Sequence, residues 1–201
     1  RKNHTVNTPA GFPGNNNAPY TNSCSFANVS QAIPIYHVTN NKGSIISPDY
    51  TIKHTKDELL NMYHHMLKLN NLDQIFYDAQ RQGRISFYMT SFGEEATHIG
   101  AASALQSNDT IFAQYRETGT LLWRGFSLNE IAHQCYGTHE DLGKGRQMPV
   151  HYGSRKLHFQ TISSPLATQL PQSVGHAYAQ KREKSDAITV CFFGEGAASE
   201  G

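Results

Sequence analysis

A chain of 201 residues is long enough for one core, or for one domain with an arm. Its 17 basic and 16 acidic residues give a formal net charge of +1 with no basic run, which speaks against a nucleic-acid partner. No apolar stretch approaches the roughly 20 residues of a membrane span, and three scattered cysteines (Cys24, Cys135, Cys191) with no CxxC pair argue against a disulfide framework and for a reducing compartment.

Residues 1 to about 30 are rich in Asn, Pro, Gly, Ser and Thr, with Asn15-Asn16-Asn17 between Pro13 and Pro19. Such a stretch buries little apolar area and is predicted to be a mobile arm. Arg1 and Lys2 alone could be the remnant of a transit peptide, so composition does not place the chain in an organelle. The run Ile33-Pro34-Ile35-Tyr36-His37-Val38, then Asn40-Asn41-Lys42-Gly43, then Ser44-Ile45-Ile46 predicts a short hairpin.

Thr55-Lys56-Asp57-Glu58 is a capping box, a hydroxyl N-cap with a carboxylate three residues on. Leu59, Met62, Tyr63, Met66 and Leu67, then Leu69, Leu72, Ile75, Phe76 and Ala79, follow at helical spacing until Gly83. The helix should be roughly 40 Å long and serve packing. Residues 94–105 read as an Ala-rich helix and residues 109–113 as a short strand. Ser127-Leu128-Asn129-Glu130 is a second capping box, opening a helix that stops near Gly137. Residues 138–165 are loop-like, and 171 to about 184 form another Ala-rich helix. Residues 187–193 are an apolar run of the buried parallel-strand type. Strands alternating with helices predict an α/β layered fold, and no internal repeat is visible.

Four segments carry candidate chemistry. In Phe193-Gly194-Glu195-Gly196-Ala197-Ala198-Ser199-Glu200-Gly201, small residues let backbone N–H groups approach a phosphate at the carboxyl end of a strand. Glu195 would repel a diphosphate directly but could hold it through Mg²⁺. The same pattern also fits a plain strand-to-helix turn. In Gln114-Tyr115-Arg116-Glu117, Arg116 could fork onto phosphate oxygens with Tyr115 supplying a hydroxyl, or sit on the surface paired with Glu117. Ser163-Ser164-Pro165-Leu166-Ala167-Thr168-Gln169 gathers uncharged oxygens suited to a hard cation or a ligand hydroxyl. It also suits a serine-rich N-cap for the next helix, the reading that the residues by themselves favour. Residues 141–153, with Gly143-Lys144-Gly145-Arg146, lack the spacing of a Walker A loop and read as a basic glycine loop near a phosphate or as ordinary surface. The 11 histidines form no His-Glu-x-x-His motif and are taken as structural or surface residues.

Together with Phe87-Tyr88-Met89-Thr90 and Gly93-Glu94-Glu95, these segments resemble, in order, the alpha subunits of the decarboxylating component of branched-chain 2-oxo acid dehydrogenases. The likeness runs from about Ile33 to the end and does not depend on the arm. It implies a thiamine diphosphate-binding fold, a parallel sheet flanked by helices, with residues 1–50 an irregular arm with a hairpin and 51–201 the first part of the dehydrogenase domain. The chain is expected to be an N-terminal piece of a longer one, because it lacks an initial Met and stops inside a glycine-rich loop.

The resemblance also implies roles. Tyr115 and Arg116 match contacts to the cofactor's diphosphate. Glu195 matches the Mg²⁺ ligand, with Gly196 and Ala197 giving backbone contacts to the cofactor. Ser164 and Leu166 match residues lining the thiazolium and substrate. Ser163, Pro165 through its carbonyl, Thr168 and Gln169 match a K⁺ site. The Asn that closes the thiamine motif, the catalytic His and the phosphorylation loop are expected beyond Gly201. The implied partners are a beta subunit in an alpha2beta2 heterotetramer, a lipoyl-bearing acyltransferase core, and a regulatory kinase and phosphatase, in the mitochondrial matrix. The spacing from Gly145 to Met148-Pro149-Val150-His151, and Glu195 where pyruvate enzymes usually carry Asp, favour the branched-chain over the pyruvate member. A non-catalytic module of the same fold is the alternative from another class.

Overall fold

The computed structural model describes residues 22–23 and 34–199. The predicted arm apart from Asn22 and Ser23, together with Cys24, Ile33, Glu200 and Gly201, lies outside the described residues. The chain divides into two compact units, Arg1–Ile52 and Lys53–Gly201.

In the first unit the predicted turn forms. The Asn40 carboxamide oxygen accepts the N–H groups of Lys42 (2.9 Å) and Ser44 (3.0 Å), and Asn40 N–H donates to the Ser44 carbonyl at 2.9 Å. The flanking runs pair only through the antiparallel bridge Thr39–Ile45, not a ladder. Ile35 and Tyr36 are exposed, so the hairpin has no buried face to stabilise it.

The second unit contains helices α1 (Lys56–Arg81), α2 (Glu95–Ser103), α3 (Thr118–Trp123), α4 (Leu128–Tyr136), α5 (Gln169–Glu183) and α6 (Glu195–Ser199), and strands β1 (Thr110–Phe112) and β2 (Thr189–Cys191). Both capping boxes form: the Thr55 side chain accepts from Glu58 N–H, the Ser127 side chain from Glu130 N–H, and each glutamate bonds back to its N-cap N–H. Gly137 ends α4 at φ +62°, a left-handed turn that suits glycine.

Helix α1 buries Met62, Leu69, Leu72, Phe76 and Ala79. Leu59, Tyr63, Leu67 and Ile75, expected on the same apolar stripe, face outward. The apolar positions of α1 are too many for one stripe, and only the row through 62, 69, 72, 76 and 79 meets the core. Helix α3 was not foreseen; it is short and its N-cap, Glu117, makes no side-chain cap bond. It packs against α1 and α2 by close approach at Gly119. A Cβ there would lie 2.7 Å from the His98 Cβ and 2.8 Å from a Leu69 methyl.

β1 and β2 are parallel, with Thr110 opposite Thr189, Ile111 opposite Val190 and Phe112 opposite Cys191. On its other side β1 bridges Phe159: Ile111 N–H donates to the His158 carbonyl (2.8 Å), and Gln160 N–H to the Ile111 carbonyl (2.9 Å). Buried Asp109 sets where β2 enters, accepting Ile188 N–H at 2.9 Å and Gln106 N–H at 2.7 Å. The α/β class therefore stands, with helices packed on a small parallel sheet. The run at 187–193, however, is not buried on both faces. β2 is half-buried, and Ile188 and Phe193 are exposed. Among the described residues β2 has a strand neighbour on one side only.

Asp73, fully buried at 0 % exposure, ties α1 to the segment that follows it. Its carboxylate accepts the Tyr88 O–H at 2.8 Å and the Ser91 N–H at 2.6 Å, and Ser91 Oγ donates to the Arg116 carbonyl at 2.9 Å. Burial pushes the Asp73 carboxyl from 3.8 up to about 6, outweighing the bonds from Ser91 and Tyr88 that favour the charged form. A raised carboxyl means that the folded state binds the proton more readily than the unfolded one. The stability this contributes is fully present below 3.8 and is lost as pH rises through about 6. Asp73→Ala should cost about 2–3 kcal/mol in urea titration, because buried donors lose their acceptor. Wild type should gain stability relative to Asp73→Asn as pH falls through this window; parallel pH profiles would remove the assignment.

Candidate functional site

The parallel register brings two of the candidate segments to one end of the sheet. Gln114-Tyr115-Arg116-Glu117 leaves the carboxyl end of β1, and Gly194-Glu195 leaves the carboxyl end of β2. Open α/β sheets bind ligands at this end. The two loops are joined directly. Phe192 N–H donates to the Phe112 carbonyl at 2.8 Å, and Gly194 N–H to the Gln114 side-chain oxygen at 3.1 Å. A third segment is joined by buried Gln169, whose amide donates to the Phe192 carbonyl at 3.1 Å.

Tyr115 is half-buried, its ring edge-on to Phe87 with centroids 6.4 Å apart. Arg116 is half-buried, and its guanidinium has no hydrogen bond or ion pair among the described residues. The expected alternative, pairing with Glu117, is not what forms. The Glu117 carboxylate turns back to accept Gln114 N–H at 2.7 Å, and burial pushes its pKa up. An arginine fixed through its backbone but free at its fork suits an oxyanion.

Glu195 is exposed at the start of α6, with one carboxylate oxygen accepting Ser199 Oγ at 2.9 Å. Gly196 is half-buried and Ala197 buried. In the 163–169 segment the N-cap reading fails. Thr168 occupies the N-cap of α5 but makes no side-chain cap bond; its hydroxyl donates to the Pro165 carbonyl at 3.0 Å instead. The Ser163 hydroxyl is unbonded among the described residues, and Ser164, Pro165 and Leu166 are exposed. The amide of Gln169 is spent on Phe192, leaving its oxygen available.

The basic loop holds itself together. Buried Asp141 accepts Gly143 N–H (3.0 Å) and Gly145 N–H (2.8 Å), while Arg146 is exposed and unpaired. An open cavity of about 680 Å³, lined by Glu130, Leu142, Arg155, Lys156, Gln160 and Thr161 among others, includes none of the predicted site residues. The sequence assigned no role to Gln114, Asp73 or His151, although Gln114 and His151 lie inside the segments 114–117 and 141–153. His151 is buried, its Nε2 2.6 Å from Ser164 Oγ. No local spacing announces the bonds they make, since their partners lie 80, 15 and 13 residues away.

The fold and these loops define an α/β protein whose candidate segments gather at the carboxyl end of a parallel sheet. A family model, "Dehydrogenase E1 component", matches residues 63–201. The chain belongs to the dehydrogenase E1 component family. It is similar to 2-oxoisovalerate dehydrogenase subunit alpha, mitochondrial, of Dictyostelium discoideum, with 57% identity over 92% of this chain and 42% of the relative. The Homo sapiens protein of that name is 53% identical over 94% of this chain and 43% of its own length. Subunit alpha 1 of Arabidopsis thaliana is 51% identical over 94% and 40%. The chain thus spans less than half the length of the curated relatives it matches.

Gln114→Leu removes the only acceptor found for Gly194 N–H among the described residues. Hydrogen exchange at that amide should accelerate by about tenfold, the equivalent of one hydrogen bond. Unchanged exchange would show that the two loops are held by something else.

Proposed function

We propose that this chain is the cofactor-holding part of the alpha subunit of a thiamine diphosphate-dependent branched-chain 2-oxo acid dehydrogenase of the mitochondrial matrix. Residues 51–201 would be the first part of its dehydrogenase domain and residues 1–50 an arm. One observation supports this most: an unpaired Arg116 and an exposed Glu195 stand on adjacent loops at the ligand-binding end of a parallel sheet. Membership of the family and the names of the relatives support it further.

The donor set fits the group. Arg116 offers a planar fork and Tyr115 a free hydroxyl to diphosphate oxygens. Glu195 offers a hard carboxylate oxygen to Mg²⁺, which binds one or two carboxylates together with phosphate oxygens. Gly196 and Ala197 let the backbone come close to the cofactor. Ser164 and Leu166, both exposed, would line the thiazolium and the 2-oxo acid. Ser163, the Pro165 carbonyl, Thr168 and Gln169 would hold K⁺, a task that suits uncharged oxygens; the Pro165 and Thr168 oxygens already lie 3.0 Å apart. When bound, thiamine diphosphate supplies the nucleophile and electron sink for loss of CO₂ from a 2-oxo acid. The protein's share is to fix the cofactor and keep its charges balanced.

The acyl product would pass to a lipoyl group on an acyltransferase core. A beta subunit in an alpha2beta2 assembly, and a kinase and phosphatase, are the further partners of this reading. The pyruvate enzyme is disfavoured by the Gly145 to His151 spacing and by the relatives' names. Assay of the complete heterotetramer on both classes of oxo acid tests this point.

In the complete protein, Glu195→Ala should abolish turnover at ordinary Mg²⁺ and thiamine diphosphate concentrations. Near-normal turnover and cofactor affinity would refute the metal-ligand role. Ser163→Ala or Thr168→Val should weaken cofactor binding and blunt its response to potassium. Titration of cofactor affinity against K⁺ checks this, and a wild type with no potassium response would end the K⁺ assignment.

A further inference from the structure

Ser164 and His151 form a hydrogen-bonded pair beside the proposed cofactor site, built on a strained turn. Met148-Pro149-Val150-His151 is a four-residue turn, closed by His151 N–H donating to the Met148 carbonyl at 3.3 Å. Pro149 occupies its second position, where a fixed φ is favoured. Val150 occupies the third at φ +63°, a conformation that β-branched residues avoid. Val150 is also fully buried. Such a residue persists only where its surroundings over-determine it, and these outliers gather at functional sites. Buried Gln134 of α4 clamps the turn, its amide donating to the Met148 carbonyl at 2.8 Å.

The turn presents His151, which is only 3 % exposed yet partnered at both ring nitrogens. Nδ1 lies 3.0 Å from the Pro149 carbonyl, and Nε2 lies 2.6 Å from Ser164 Oγ. A carbonyl only accepts, so Nδ1 of the neutral ring carries the hydrogen. Nε2 is then a bare acceptor, and the Ser164 hydroxyl must donate to it. Ser164 Oγ also lies 3.5 Å from Met148 Sδ, but one hydrogen cannot serve both, and the short bond to nitrogen takes it. With its hydrogen committed inward, exposed Ser164 keeps only lone pairs for a ligand.

We propose that His151 is a positioning residue that fixes Ser164 as a hydrogen-bond acceptor toward the bound thiamine diphosphate. The inference rests on the functional reading above. It adds a specificity: the group that meets Ser164 must be a donor, and an acceptor there would face repelling lone pairs.

The test uses the complete alpha chain assembled with its beta subunit. Calorimetry gives the thiamine diphosphate Kd for His151→Phe, Ser164→Ala and the double variant, with His151→Gln as the variant that keeps an acceptor near the Nε2 position. Each single change should weaken binding by about tenfold, the equivalent of one hydrogen bond. The double variant should be no weaker than either single one, and His151→Gln should recover most of the affinity. Nitrogen-15 spectra of histidine-labelled, cofactor-free protein should show His151 protonated at Nδ1, and Ser164→Ala should move its Nε2 resonance. Additive losses, no recovery with Gln, or the opposite tautomer would overturn this inference while leaving the cofactor reading intact. A wild-type assembly that binds no thiamine diphosphate would overturn that reading, and the ligand named here with it.

Discussion

The parallel pairing of β1 with β2 is fixed by side chains at both of its ends, and the site depends on that fixing. Asp109, just before β1, takes the N–H of Ile188 as β2 begins. Gln114, just after β1, takes the N–H of Gly194 as β2 ends. Strands of three residues have few ladder bonds with which to hold a register. A slip would also turn every side chain to the opposite face. Two buried polar side chains supply the missing definition, and Asp109 is itself braced by Arg124, which donates to the Asp109 carbonyl at 2.6 Å. The loop bearing Arg116 and the loop bearing Glu195 are neighbours because this register holds.

A second constraint comes from α1. Asp73 is buried on α1, where a charge is costly unless well bonded. It accepts from Tyr88 and Ser91, and Ser91 holds the Arg116 carbonyl. The long helix therefore does more than cover the core: through two polar links it fixes the backbone of Arg116. An apolar residue at 73 would avoid the desolvation cost but would leave the N–H of Ser91 buried without an acceptor. The cost is thus spent on position: burial raises the Asp73 carboxyl, and the hydrogen bonds from Ser91 and Tyr88 oppose that rise.

What was legible in the sequence was local. Both capping boxes form where Thr55 and Ser127 precede their glutamates, because their partners are three residues away. The strand before Glu195 was legible from its apolar run, although it is shorter and less buried than expected. Helix α3 was not, since it has no side-chain cap and its Gly119 would weaken a helix standing alone; close packing on His98 and Leu69 holds it. The outward half of α1 was misread because apolar spacing alone does not say which row meets the core. The charged segments 114–117 and 193–201 drew attention through their types. Gln169 was expected only as a K⁺ ligand, and the bonds that Gln114, Gln169 and His151 make were not legible, because they exist only once distant segments meet. The serine-rich segment was open to two readings, and the absent cap bond at Thr168 decides against one of them.

The residues that make these long-range bonds share a chemical character with a reason behind it. The groups that tie the site's segments together are carboxamides, hydroxyls and an imidazole: Gln114, Gln169, Ser91, Ser164 and His151. A lysine or a carboxylate in those places could make equally short bonds. It would also add a full charge close to Arg116 and Glu195, and burying that charge would itself be costly. Neutral partners set geometry without altering that balance. Formal charge is then left to Arg116, free at its fork, and to Glu195, exposed at the start of α6. Glu117 stands between them in sequence, and its burial and backbone bond turn it inward to Gln114 rather than toward the arginine. Were it turned outward, it would neutralise Arg116 and remove the one cation the loop offers to an anionic ligand. The direction of a single buried glutamate therefore decides whether the guanidinium of Arg116 is left without an ion pair.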